Sequence, residues 1–223
     1  MSSEEQQSGV RNLFRFNLTN SGSTMIIKIL GNYIEDLPET EEYLTMGFSP
    51  SSLPLKKRWK NNGISADFIA DYFQSFFVSK YAESNQEEDE ILIENLKSTV
   101  RYIANELLEN AMKFQDEKTS FIAKIFFSLY QDKLVFNIKN GCHLEQAACL
   151  STFIEQKLLV SDVRQLYMEA LRNSAKKSEN APSQVGLLSM ICDYSAQLGW
   201  KFESSDTDPS LMIISTTVCL DIQ

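Results

Sequence analysis

No stretch of the 223-residue sequence is apolar for long enough to span a bilayer. The opening MSSEEQQSGV is polar and acidic, without the basic region and hydrophobic segment of an export leader, so a cytoplasmic protein is expected. Basic residues are in deficit: 21 Lys and Arg against 30 Asp and Glu give a formal charge of −9, which repels nucleic-acid phosphates and anionic membranes alike. Neither nucleic acid nor membrane is an expected partner. The four cysteines, at 142, 149, 192 and 219, form no CxxC pair and no framework spacing, so reduced thiols in a reducing compartment are expected. Cys142, His143 and Cys149 lack a fourth ligand and zinc-module spacing, which argues against a metal cluster. There is no internal repeat and no separable linker.

What is present is ample apolar content, 43% of residues, enough for the core of one large domain or one domain with an appendage. NLFRFNL and TMIIKIL alternate as strands around the turn residues TNSGS, so residues 12–30 read as a hairpin, and EEYLTMGF reads as a third short strand. The Pro- and Ser-rich FSPSSLPLKKRWKNNG suggests irregular chain, with a helix over ISADFIADYFQSFF started by Ser65 or Asn62. Lys56, Lys57, Arg58 and Lys60 around Trp59 are the one dense basic patch, either a solvated loop or a docking surface for an acidic partner.

The longest helical pattern ends in NELLENAMKF. Ile93, Leu96, Val100, Ile103, Leu107, Ala111 and Phe114 recur at helical spacing and mark a buried stripe, while the acidic ESNQEEDE precedes it, with Asn85 or Ser84 able to cap. Glu106 and Asn110, four apart, fall on a face beside the stripe with Lys113 a turn further, so a carboxylate and an amide are expected to aim at one place. SFIAKIFFSLY and KLVFNIKN then read as strands joined at Gln131 and Asp132. An interrupted helical region from His143 to Lys177 follows, then the mobile-looking RNSAKKSENAPSQ. GLLSMICDYSAQLG reads as a helix stopped by Gly199, and KFESSD and LMIISTTVCLDI as closing strands.

From about residue 88 to 222 this order resembles the GHKL (histidine kinase-like) ATPase superfamily, and its anti-sigma serine kinase branch in particular. Glu106, Leu107, Leu108, Glu109, Asn110, Ala111, Met112 and Lys113 match the family's helix signature. The resemblance implies MgATP as ligand, Asn110 as the side-chain oxygen on Mg2+, and Glu106 as catalytic base, with Lys113 among the nucleotide-binding residues. It places Asn140 and Gly141, at the end of LVFNIK, against the adenine, although the family has an acid where this chain has Asn140, and its second glycine is Cys142 or His143 here. It places Ser183, Gly186 and Leu187 of PSQVGLLSM at the phosphates, where only Gly186 of the family's glycines is kept; Ser183 and Gln184 either crowd the phosphates or bond to them. A plain helix start explains that segment equally well.

The front segment FSPSSLPLKKRWKNNGISADFIADYF is similar to one in a cyanobacterial group of small GHKL-type regulators. The implied fold is an α/β (α+β) two-layer sandwich of the Bergerat type, a mixed β-sheet covered on one face by helices, with an N-terminal β-hairpin and helix extension. The expected organisation is a disordered start over 1–10, the extension over 11–84, and a nucleotide-binding domain over 85–223. The implied function is a partner-switching regulator that binds ATP with Mg2+ and phosphorylates a Ser or Thr of a STAS-domain partner, and a homodimer is implied too. The alternative is a protein-binding module that has kept the fold and lost catalysis. A histidine kinase is disfavoured, since the single histidine, His143, follows the adenine strand instead of lying on a separate dimerisation helix.

Overall fold

A computed structural model of the chain describes residues 13–18, 24–40, 42–48, 55–81, 87–115, 121–174 and 184–222. It is an α+β two-layer arrangement. Seven strands form one open sheet: β1 (Leu13–Leu18), β2 (Thr24–Gly31), β3 (Tyr43–Phe48), β4 (Ala123–Leu129), β5 (Lys133–His143), β6 (Gln197–Ser204) and β7 (Leu211–Asp221), in the order β1-β2-β6-β7-β5-β4-β3. The helices are α1 (Leu55–Tyr81), α2 (Glu87–Phe114), α3 (Leu144–Phe153), α4 (Val163–Ser174) and α5 (Val185–Cys192), with a π-helical turn, Ile154–Leu158, after α3.

Every strand pairing is antiparallel, where a mixed sheet was expected. The connections explain this. A single crossover helix returns the chain to the starting end of a strand and gives a parallel neighbour. Between β3 and β4 the chain instead runs out and back along two helices packed antiparallel, as the ion pairs Lys97–Asp71 (2.8 Å) and Arg101–Asp67 (2.6 Å) require. It therefore re-enters the sheet from the end at which it left.

The core lies between the helices and one sheet face. Period-two alternation sends Leu134, Phe136 and Ile138 of β5 and Ile125 and Phe127 of β4 to that face, where α1 contributes Phe73 and Phe77 and α2 contributes Val100, Ile103, Leu107 and Leu108. The aromatic rings meet edge to face, Phe73–Phe127 at 5.9 Å and Phe127–Phe136 at 5.1 Å between centroids. At the far side, Lys28 of β2 reaches up to Ser151 (2.7 Å) and Glu155 (2.6 Å), which fixes α3 and the π-helical turn to the sheet.

Three expectations are corrected. Helix α1 begins at Leu55, so LKKRWKNNG is helical and not irregular: once past Pro54, the Leu, Lys and Arg residues are good helix formers. Asn62 is inside that helix, 1% exposed and, among the described residues, with neither amide atom hydrogen-bonded, and Ser65 is interior as well, so neither starts it. Helix α5 stops at Cys192 rather than near residue 198; Ser195 takes the left-handed conformation (φ 54°), and Gly199 is in the middle of β6. The expected disordered start, the TNSGS turn and the caps at Ser84 and Asn85 fall outside the described residues.

Gly199 has a different job from a helix stop. Residues 32–40 leave β2 and lie on the sheet face that carries no helix, between β2 and the β4 edge next to β3. Gly31 (φ 68°) makes the bend into this strap, and Asn32 N–H donates to the Leu198 carbonyl at 2.9 Å. At the other end Thr40 Oγ1 donates to the Leu129 carbonyl (2.7 Å) and Tyr130 Oη to the Pro38 carbonyl (2.8 Å). A methyl group on Gly199 would overlap the backbone of Tyr33, so the strap lies flat only over a glycine. Gly199→Ala is therefore expected to lower stability by about 1–3 kcal/mol, the usual cost of overpacking. Denaturant unfolding checks this, and an unchanged midpoint would mean that the strap does not rest there.

Candidate functional site: a cavity beneath the long helix

The C-terminal half of α2 stands over β5 and β7 and leaves a cavity of about 430 Å3. That volume is in the small-molecule range of roughly 300–1,000 Å3. Its roof is Leu107, Asn110, Ala111 and Phe114, residues one helical turn apart on one side of α2. Its floor is Ile138, Asn140 and Cys142 of β5 with Trp200, Ile214 and Thr216 from the neighbouring strands, all on the helix-facing side. Helix α3 closes one flank with Gln146, Cys149 and Phe153, and Gln184 and Leu187 at the start of α5 close the other.

The lining is mostly apolar, with a few polar groups directed into it. Asn140 is 6% exposed, yet among the described residues no hydrogen bond reaches its side chain. The side chains of Asn110 and Thr216 are also unbonded among the described residues. These groups are open to the cavity and not sealed within the protein, since the buried side-chain polar atoms without a partner among the described residues are those of Asn62. Cys142 has its thiol pushed up to about 12 by burial, so it is a neutral apolar wall and not a thiolate. Among the described residues no three His, Cys, Asp or Glu side chains are placed to hold a metal ion.

The cavity gathers some of the sequence-derived candidates and leaves others out. Asn110, Asn140 and Leu187 line it. Glu106 does not, contrary to the expectation that it and Asn110 aim at one place. Residues four apart on an α-helix are offset by about 40°, and that offset turns Glu106 toward α5. Its carboxylate packs against Gly186, close enough that a methyl group there would overlap it. Lys113 is exposed and outside the lining, its ammonium 5.7 Å from the centre of the Phe114 ring. Gly141 belongs to the other sheet face, beside Leu211 and Phe121, and its N–H donates to Gln115 Oε1 at 3.1 Å. Ser183 falls outside the described residues.

Sequence reasoning missed Thr216, Gln146, Trp200 and the buried Gln115. Gln115 also donates from Nε2 to the Phe121 carbonyl (3.0 Å), so it clasps the end of α2 to the strand that carries Asn140. Only its place immediately after the apolar stripe could have singled it out. On the outer side of α5, Asp193 accepts from Tyr167 Oη (2.6 Å) and Ser189 Oγ (2.8 Å), which ties α4 to α5, and Tyr102 stacks on Tyr194 at 4.8 Å. No family model matches the chain, and no curated protein matches it. No helix among the described residues is long and apolar enough to cross a membrane.

Glu106 carries the site's clearest electrostatic signature. Burial raises its carboxyl above the usual range, Glu109 raises it further, and Lys113 opposes both. A carboxyl raised in the folded state binds its proton more tightly there than in the unfolded chain, so this group's contribution falls as pH rises from the ordinary Glu value through the raised one. Glu106→Gln removes that penalty. The variant should melt above wild type at neutral pH, with the difference closing near about pH 4, the ordinary Glu range. Thermal unfolding across this range checks it; parallel curves would show that burial does not penalise the charge.

Proposed function

We propose that this protein is a purine-binding regulatory protein of the GHKL type and that the cavity under α2 receives the purine base. The observation that supports this most is the meeting of Asn110, Asn140 and Thr216, from three separate elements, in one apolar cavity with their hydrogen-bonding groups open. An Asn amide presents a donor and an acceptor side by side, which matches the adjacent donor and acceptor on the edge of a purine. Apolar walls such as Ile138, Ile214 and Leu187 suit the faces of a flat ring. The resemblance adds a STAS-domain or other signalling protein as partner and a homodimer, and it would make the ligand ATP, with Asn110 offering Mg2+ a side-chain oxygen.

The two halves of that ligand fit unequally. The base finds its groups, whereas the described lining offers no cation to the phosphates, and Glu106 is engaged with Gly186. Phosphoryl transfer to a Ser or Thr of the partner, with Glu106 as base, is the second reading. The placement of Glu106 favours binding without chemistry.

Calorimetric titration of the full chain with adenine and guanine nucleotides and nucleosides tests the proposal. Asn140→Ala should weaken binding about three- to tenfold, the equivalent of one neutral hydrogen bond. No binding of any of these by the wild-type chain would sink it.

A further inference from the structure

Resting on the purine reading, we propose that the cavity's ligand is an uncharged purine nucleoside and that the site discriminates against the magnesium triphosphate. Three observations converge on this. Among the described cavity-lining residues the only charged side chain is Glu145, a carboxylate, and none is Lys, Arg or His. The place that would otherwise receive an anion, the backbone at the first turn of α5, is covered by a carboxylate of the protein itself, since Glu106 rests on Gly186. Asn110, Asn140 and Thr216 are all neutral, so each can both donate to and accept from a base and a ribose, and none supplies a positive charge to offset that of a phosphate.

A polyphosphate brought to this mouth meets two carboxylates, Glu145 and Glu106, on a chain of net charge −9. A nucleoside brings the same base and ribose hydroxyls without that repulsion. Glu106 is thus a selectivity element, acting on the phosphate end of the ligand from outside the cavity.

The test is a set of calorimetric titrations of the full wild-type chain with adenosine, guanosine and ATP with Mg2+, at low and high salt. The expected result is that one nucleoside binds at least tenfold tighter than MgATP. Its affinity should also hold constant with ionic strength, whereas MgATP binding should improve with salt as repulsion is screened. Glu106→Gln should narrow the nucleoside-to-MgATP ratio several-fold. MgATP binding tenfold tighter than either nucleoside, or weakening with salt, overturns the inference and leaves the purine reading standing. A ratio that Glu106→Gln does not move overturns the role given to Glu106. Failure of all three ligands to bind overturns both proposals.

Discussion

Everything in this fold depends on the seating of α2 across the middle of the sheet. Val100, Ile103, Leu107 and Leu108 are essentially inaccessible to water, and they bury themselves against Phe136 and Ile138 of β5 and the neighbours of those strands. Each such side chain contributes on the order of 1.5–3 kcal/mol, so this seam holds more of the apolar burial than any peripheral contact. Position follows from it. With α2 fixed over the sheet from Val100 to Leu108, the small Ala111 and the standing-off Phe114 leave the cavity where they do, and the Gln115 clasp to Gly141 and Phe121 keeps the helix end from collapsing into it.

The second constraint is that an antiparallel sheet with helices on one side has a face to protect on the other. The strap over residues 32–40 does this, and Gly31 and Gly199 are the two positions where it could not pass if a side chain were present. On that face Val135 and Thr217 are almost completely buried, at 1% and 0% exposed. The two glycines sit at one contact, one needed for its backbone angle and the other for close approach.

How legible all this was in the sequence depended on the range of the interaction responsible. The hairpin of β1 and β2, the strands β3, β4, β5 and β7, and the face of α2 come from local periodicity, and they were readable. The start of α1 is obscured in the sequence because the Pro and Ser beside it signal irregular chain, whereas Leu, Lys and Arg in LKKRWKNNG favour helix. Gly199 was read as a helix stop because a glycine that ends a helix and one that admits a crossing backbone look alike in one dimension; the crossing segment is Tyr33, far away in the chain. In the same way Asn110 and Asn140 could be named from pattern and resemblance, while Thr216 and Gln115 could not, since only the register of β7 on β5 and the end of α2 bring them in.

The divergence of Glu106 from Asn110 shows what spacing alone leaves open. A four-residue interval puts two side chains on neighbouring ground, but which element packs there decides their environments. At Asn110 the neighbour is the sheet across an open cavity, so among the described residues the amide has no partner and is available. At Glu106 the neighbour is α5, with Tyr102 and Tyr194, whose phenols are raised by burial first and by the Glu106 carboxylate as well, and with a glycine at 186 as the residue type that admits it. Gly186 therefore has a reason to be glycine that requires no phosphate: its missing side chain is the space that Glu106 fills. The one glycine kept from the phosphate-binding pattern is accounted for by a carboxylate of the chain itself, and this shifts the weight of the site from phosphate chemistry to recognition of the base.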